Sequence, residues 1–205
     1  MIRPYGRRKE GTREIQRVFV IVSEGSDTEP IYFNRYKRRN CNLTIEVPNN
    51  KYTDPVGLVE WARYYIKRKE LDLKGGDKIW CVFDCDSNKN KQLSEACKNA
   101  GKDIIICFSN PSFELWYLLH FDNIQSKIWR EEVNVRLTKR IPGYTKTKDC
   151  YDLLEKYRPV AIENAKNLTK KLEKSGTELI SVESNPSTQV YNIVEEILKI
   201  TKDTD

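Results

Sequence analysis

The run Arg17-Val-Phe-Val-Ile-Val22 constrains the fold more than any other feature of the chain. Five consecutive β-branched or aromatic residues leave no polar face, so the run reads as a strand covered on both sides, as in a parallel α/β sheet. Leu43 to Val47, Ile79 to Phe83 and Ile104 to Phe108 supply three further strand candidates. Between them lie helical patterns. Thr28-Glu29-Pro30 opens one that runs to about Arg39, and Asp54-Pro55 opens a second with Val59, Ala62 and Ile66 on one face, ending before Gly75-Gly76. Leu93, Ala96, Cys97 and Ala100 mark a third, stopped by Gly101, and Asn110-Pro111-Ser112 leads into an apolar helix from about Phe113 to Phe121. Four βα alternations predict a four-stranded, mainly parallel sheet with right-handed crossovers and helices on both faces.

After residue 121 the pattern changes to helices and loops. Ala161, Ile162, Ala165, Leu168 and Leu172 fit one helical stripe, and Val190, Ile193, Val194 and Ile197 another. Asn185-Pro186-Ser187-Thr188 punctuates between them and reads as a cap. The expected organisation is a basic N-terminal arm (1–16), an α/β core (17–122), and a basic loop with a helical extension packed on that core (123–205). A chain of 205 residues suits one compact domain with an appended lobe.

Charge is unevenly placed. The net +6 is concentrated in residues 1–17, with six basic residues against two acids, and in residues 127–148, with seven against two. Such segments attract phosphate backbones, and they also occur as ordinary solvated surface. With 39% hydrophobic and 10% aromatic residues, fibrous and disordered classes are excluded. No apolar stretch approaches the length of a membrane span and no hydrophobic segment follows the N-terminal charges, so a soluble, cytoplasmic protein with no membrane partner is expected. None of the six cysteines forms a CxxC pair, which favours buried free thiols, and a single histidine, His120, excludes a His-rich zinc site.

In a parallel sheet, sites gather at the carboxyl ends of strands. Glu24 follows the first strand, and Asp84 and Asp86 follow the third. Carboxylates converging there would repel one another, so either a divalent metal binds or their pKa values rise. Mg²⁺ suits such a site, because it accepts a few carboxylates and keeps several waters. Each acid has a plainer alternative: Glu24 as a helix cap, Asp84 and Asp86 as turn residues.

This arrangement resembles the Toprim fold of topoisomerases, primases and overcoming-lysogenization-defect nucleases, in which a Glu after the first strand and an Asp-x-Asp after a later one bind Mg²⁺. The fuller set is Val22-Ser23-Glu24-Gly25 with Thr28-Glu29-Pro30 and Tyr32-Phe33; Val82-Phe83-Asp84-x-Asp86; Ser109-Asn110-Pro111-Ser112-Phe113-Glu114-Leu115-Trp116; Pro142-Gly143-Tyr144-x-Lys146; and Asn185-Pro186-Ser187-Thr188. In that order and spacing it resembles the RloB-like family, over about residues 17 to 199. The resemblance implies a cytoplasmic bacterial phage-defence protein, related to abortive-infection components and encoded beside restriction systems or an AAA or ABC-type ATPase. Through the Toprim nucleases it also implies a Mg²⁺- or Mn²⁺-dependent phosphodiesterase acting on DNA or RNA.

Carboxylate-held metal would polarise a phosphate, activate water and stabilise the leaving oxygen. Glu24, Asp84 and Asp86 are the expected ligands; Glu29 and Glu114 are candidates for a second ion or a general base. Glu29 also reads as an ordinary acid in a helix's first turn, whereas Glu114 lies in an apolar helix where a lone acid is costly unless it faces a site. Lys146 is the expected cation near the departing oxyanion, with Lys148 second; the alternative for both is a flexible basic loop. Ser109 and Asn110, at the end of the fourth strand, are candidate phosphate or metal-water contacts. Trp116 and His120 read as core. A non-catalytic subunit that senses a ligand or docks an ATPase, and a receiver-like phosphoacceptor, are the rival classes; homo-oligomerisation is left open.

Overall fold

A computed structural model describes residues 16–37, 42–85 and 88–202. Five strands form one sheet: β1 (Arg17–Ser23), β2 (Leu43–Glu46), β3 (Lys78–Asp84), β4 (Ile105–Asn110) and β5 (Ser187–Thr188), in the order β2-β1-β3-β4-β5. The first four pair in parallel and β5 pairs antiparallel to β4. The sheet therefore has one strand more than the four expected, because the Asn185–Thr188 motif pairs with the end of β4. Ser109 sits opposite Thr188 in that ladder.

The apolar runs are continuous because both sheet faces are covered. On one face, Phe19, Ile21, Trp80, Val82 and Cys107 join a core with Tyr32 and Phe33 of α1 (Thr28–Asn34), the apolar segment Phe113–Leu119, and side chains from α5 (Arg130–Arg140), α7 (Arg158–Lys174) and α8 (Val190–Lys202). On the other, the alternate residues Val20, Val22, Ile79, Cys81, Phe83 and Phe108 pack on α2 (Pro55–Lys69) and α3 (Asn90–Ala100). The period of two along each strand thus sends neighbouring residues into separate cores.

Local signals explain the element ends. The Asp54 side chain accepts the Gly57 amide at 2.9 Å with Pro55 in the first turn, fixing the start of α2. That helix ends at Lys69, several residues before the paired glycines, because Glu70 turns left-handed at φ 53°. Gly101 closes α3 at φ 62°, where an L-residue would be strained. The Thr28 helix runs to Asn34, and residues 38–41, within its expected last turn, lie outside the described residues. The expected helix from Phe113 to Phe121 is regular only over α4 (Glu114–Leu118), with single turns beyond it.

The stretch from Lys127, read as a basic loop, contains α5, with acids in its first turn, Lys139 and Arg140 in its last, and Val133 and Leu137 buried. A short helix, α6 (Tyr151–Glu155), precedes α7. Of the cysteines, Cys81, Cys85, Cys107 and Cys150 are buried free thiols. No described helix is long and apolar enough to cross a membrane.

Candidate functional site

Strand order fixes where a site can form. The chain leaves β1 toward β2 and then crosses back to β3 on the other side of β1, so the connections diverge between β1 and β3. A crevice opens at such a switch point, outside the carboxyl ends of the strands. In the β1–β3 ladder Ser23 lies opposite Val82, and the Glu24 amide donates to the Val82 carbonyl at 2.9 Å. Glu24 thus leaves the sheet one residue past β1, beside Asp84 at the end of β3.

A cleft of about 290 Å³ occupies this position. Its walls carry the carboxylates of Glu24, Asp27, Glu29, Asp84 and Glu114, with Thr53 and the cations Arg130 and Lys146. Glu29 comes from the first turn of α1 and Glu114 from the first residue of α4, and both are buried. Arg130, at the start of α5, reaches Asp84: its Nη2 donates to Oδ2 at 2.9 Å. The Lys146 carbonyl accepts from the Thr28 hydroxyl at 3.1 Å, which ties the lysine segment to α1.

Gly25 lets Glu29 close on the strand end. A methyl at Gly25 would lie 2.6 Å from Glu29 Oε1 and 2.7 Å from its carboxyl carbon, so the motif Glu-Gly here reflects the close approach of a carboxylate to backbone. The Ser23 hydroxyl donates to the Gly25 carbonyl at 2.9 Å, and Asn50 Nδ2 donates to the Ser23 carbonyl at 2.8 Å, bracing the same turn. Burial pushes the Glu29 carboxyl up to about 7, and the negative charges of Glu114 and Glu24 push the same way, against its own backbone amide and Lys146.

Five of the residues singled out in the sequence, Glu24, Glu29, Asp84, Glu114 and Lys146, therefore share one cleft. Asp86 lies outside the described residues. The other three are placed elsewhere. The Ser109 hydroxyl shares a 2.9 Å hydrogen bond with Thr188 Oγ1, and Asn110 Nδ2 donates to the Ser181 and Val182 carbonyls at 3.1 and 3.2 Å. Both side chains are buried and hold the β4 end to β5 and the segment before it rather than lining the cleft. Lys148 Nζ donates to the Pro142 carbonyl, closing its own turn.

Asn185 pairs with the Ile128 backbone through both its amide nitrogen and oxygen, each at 2.9 Å, so its side chain acts as a clamp between segments. Both Asn-Pro bonds, 110–111 and 185–186, are cis. Trp116 and His120 are core, as expected: the rings meet edge to face at 4.9 Å and His120 Nδ1 donates to the Trp116 carbonyl at 2.8 Å. Burial lowers the His120 pKa to about 4.

Ser26, Asp27, Thr53 and Arg130 line the cleft without having been singled out in the sequence. The signal for α5 was present in its acidic start, basic end and the Val133–Leu137 pair, but nothing in the spacing marks Arg130 among seven basic residues in that stretch.

Among the described residues, no group of three His, Cys, Asp or Glu side chains is placed to hold a metal ion. The donors are nevertheless of the right kind, since every acid in the cleft offers hard oxygen and Mg²⁺ is commonly held by one or two carboxylates completed by water.

No solved structure matches the chain. An uncharacterized mitochondrial protein of Marchantia polymorpha, ymf31, is 38% identical over 53 residues, 26% of this chain and 79% of that protein. The model of the RloB-like protein family matches residues 19–197, which include both core faces and every described wall of the cleft. The chain belongs to the RloB-like protein family.

Proposed function

We propose that the chain is a Toprim-type nuclease that hydrolyses phosphodiester bonds of DNA or RNA with Mg²⁺ or Mn²⁺. One observation carries this reading: Glu24, Glu29, Asp84 and Glu114 meet Arg130 and Lys146 in a cleft at the β1–β3 switch point. Acids outnumber cations there, and the raised pKa of Glu29 is what a carboxylate shows when buried among like charges. A divalent cation would relieve that repulsion.

Glu24 and Asp84, with Asp86, would hold the metal, which when bound would supply Lewis acidity toward a phosphate oxygen and a water of lowered pKa. The chain's own residues do the rest. Lys146 and Arg130 bring positive charge to where negative charge grows on the phosphate and leaving oxygen. Glu29, ionising near neutrality, is suited to take a proton from attacking water. Glu114, buried beside it, keeps that proton affinity high. The role as an effector of phage defence, with an AAA or ABC-type ATPase as regulator, is supported by the family resemblance.

The test is cleavage of single- and double-stranded DNA and RNA by purified protein with Mg²⁺ or Mn²⁺, alone and with the neighbouring ATPase. Wild type cleaves, while chelator or the double substitution Asp84→Asn with Asp86→Asn abolishes cleavage. Full activity in the double variant refutes the assignment.

A second reading, a ligand-sensing or ATPase-docking subunit without catalysis, is favoured by the Arg130–Asp84 ion pair at 2.9 Å, which already neutralises one of the expected metal ligands. It predicts no Mg²⁺ or Mn²⁺ binding with or without nucleic acid.

A further inference from the structure

Beside the acidic cleft runs a larger groove of about 690 Å³, walled by Asn49, Asn50, Lys51 and Tyr52 on one side and by Glu60, Trp61 and Tyr64 of α2 on the other. We propose that this groove seats an unpaired base of single-stranded DNA or RNA whose neighbouring phosphodiester lies in the acidic cleft. The fate of that phosphodiester rests on the nuclease reading; the seating of the base does not.

The aromatic walls have the geometry of a stacking platform. Trp61 lies on Tyr65 with ring centres 4.8 Å apart and planes 24° apart, and Tyr65 is buried with its hydroxyl donating to Glu46. The indole is therefore held from behind. Tyr64, three residues on along the same helix, is 55% exposed, so its ring face is open to a ligand. Bases stack on such rings whatever their identity, because every base has a π-face, and only unpaired bases present that face.

The groove lining carries one cation, Lys51, which lies over the Tyr52 ring at 5.8 Å, and one acid, Glu60. The Lys51 ammonium sits where the phosphate of a strand whose base is held by these rings would pass. The Asn49 amide, exposed at the mouth, offers both a donor and an acceptor to a base edge.

The groove and the cleft share a wall. Tyr52 lines the groove and Thr53 lines the cleft, and consecutive Cα atoms are about 3.8 Å apart. Asn50 fixes this wall to the site: its Nδ2 donates to the Ser23 carbonyl, one residue before Glu24, and its Oδ1 accepts the Tyr52 amide at 2.9 Å. A strand whose base is held between Tyr52 and Trp61 leads its backbone past Thr53 toward Glu24 and Asp84.

The test is fluorescence titration of the full chain with oligothymidylate, oligouridylate and a DNA duplex of equal length, in chelator so that nothing is cut. Single strands are expected to quench tryptophan emission and to bind more tightly than duplex. Tyr64→Ala and Lys51→Ala, both at exposed positions, are expected to weaken single-strand binding about tenfold each. Equal affinity for duplex and single strand, or unchanged affinity in both groove variants, overturns the proposal even if metal-dependent cleavage is found. Weakened binding in the groove variants, with no cleavage under any condition, upholds the groove and removes the nuclease reading instead.

Discussion

Replacing Glu29 by Gln isolates the electrostatics of the cleft from any question of substrate. Glutamine keeps the shape of the protonated acid and cannot ionise, so the variant carries the folded state of wild type at low pH through to high pH. A carboxyl raised from 4.5 to about 7 holds its proton in the folded chain across an interval in which the unfolded chain has released it. Stability from that proton is complete below about 4.5 and is lost as pH rises through about 7. At about 1.4 kcal/mol per pH unit, the loss is about 3 kcal/mol.

His120 acts oppositely over an overlapping range. Its pKa, lowered from 6.5 to about 4, means that stability is complete above about 6.5 and is lost as pH falls toward 4. The wild-type profile sums the two, and only the difference between variant and wild type reads Glu29. Urea unfolding at pH 5 and pH 8 gives that difference: about 1 kcal/mol at pH 5, and a variant more stable by about 3 kcal/mol at pH 8. A difference independent of pH, or a variant less stable at pH 8, would refute the buried, charge-repelled environment assigned to Glu29.

Gly25→Ala places a methyl 2.6 Å from the Glu29 carboxylate and is expected to cost about 1–3 kcal/mol by forcing that group aside; chemical denaturation measures it, and Glu29→Gln does not rescue it, because the clash is steric. Asn110→Ala removes the amide that bridges the Ser181 and Val182 carbonyls and is expected to cost about 1–3 kcal/mol. In that variant, hydrogen exchange should accelerate in residues 181–188 while divalent-metal binding stays as in wild type, since Asn110 holds the sheet edge and does not face the cleft.

What the sequence revealed follows from how each element is covered. β1 and β3 were legible because both of their faces are buried, so Arg17–Val22 and Ile79–Phe83 carry no alternation to confuse with an exposed strand or a helix. Their carboxyl ends flank the switch point, which is why Glu24 and Asp84 were found by position alone. The same rule misplaced Ser109 and Asn110. β4 also ends at the carboxyl side, but β5 and the segment before it cover that end, and two polar residues, Ser187 and Thr188, give no periodicity from which to foresee such a strand. α5 was hidden because only Val133 and Leu137 of its eleven residues are buried. Arg130 was hidden with it, since its role depends on a contact with a strand 46 residues away.

As a divalent-cation site, the cleft between β1 and β3 binds metal in the absence of nucleic acid. Calorimetric titration of Mn²⁺ into the purified chain, with Asp84→Asn run alongside, tests it without reference to any substrate. Saturable binding in wild type that is lost in Asp84→Asn is the predicted result. Absence of binding in wild type, or equal binding in the variant, would contradict it.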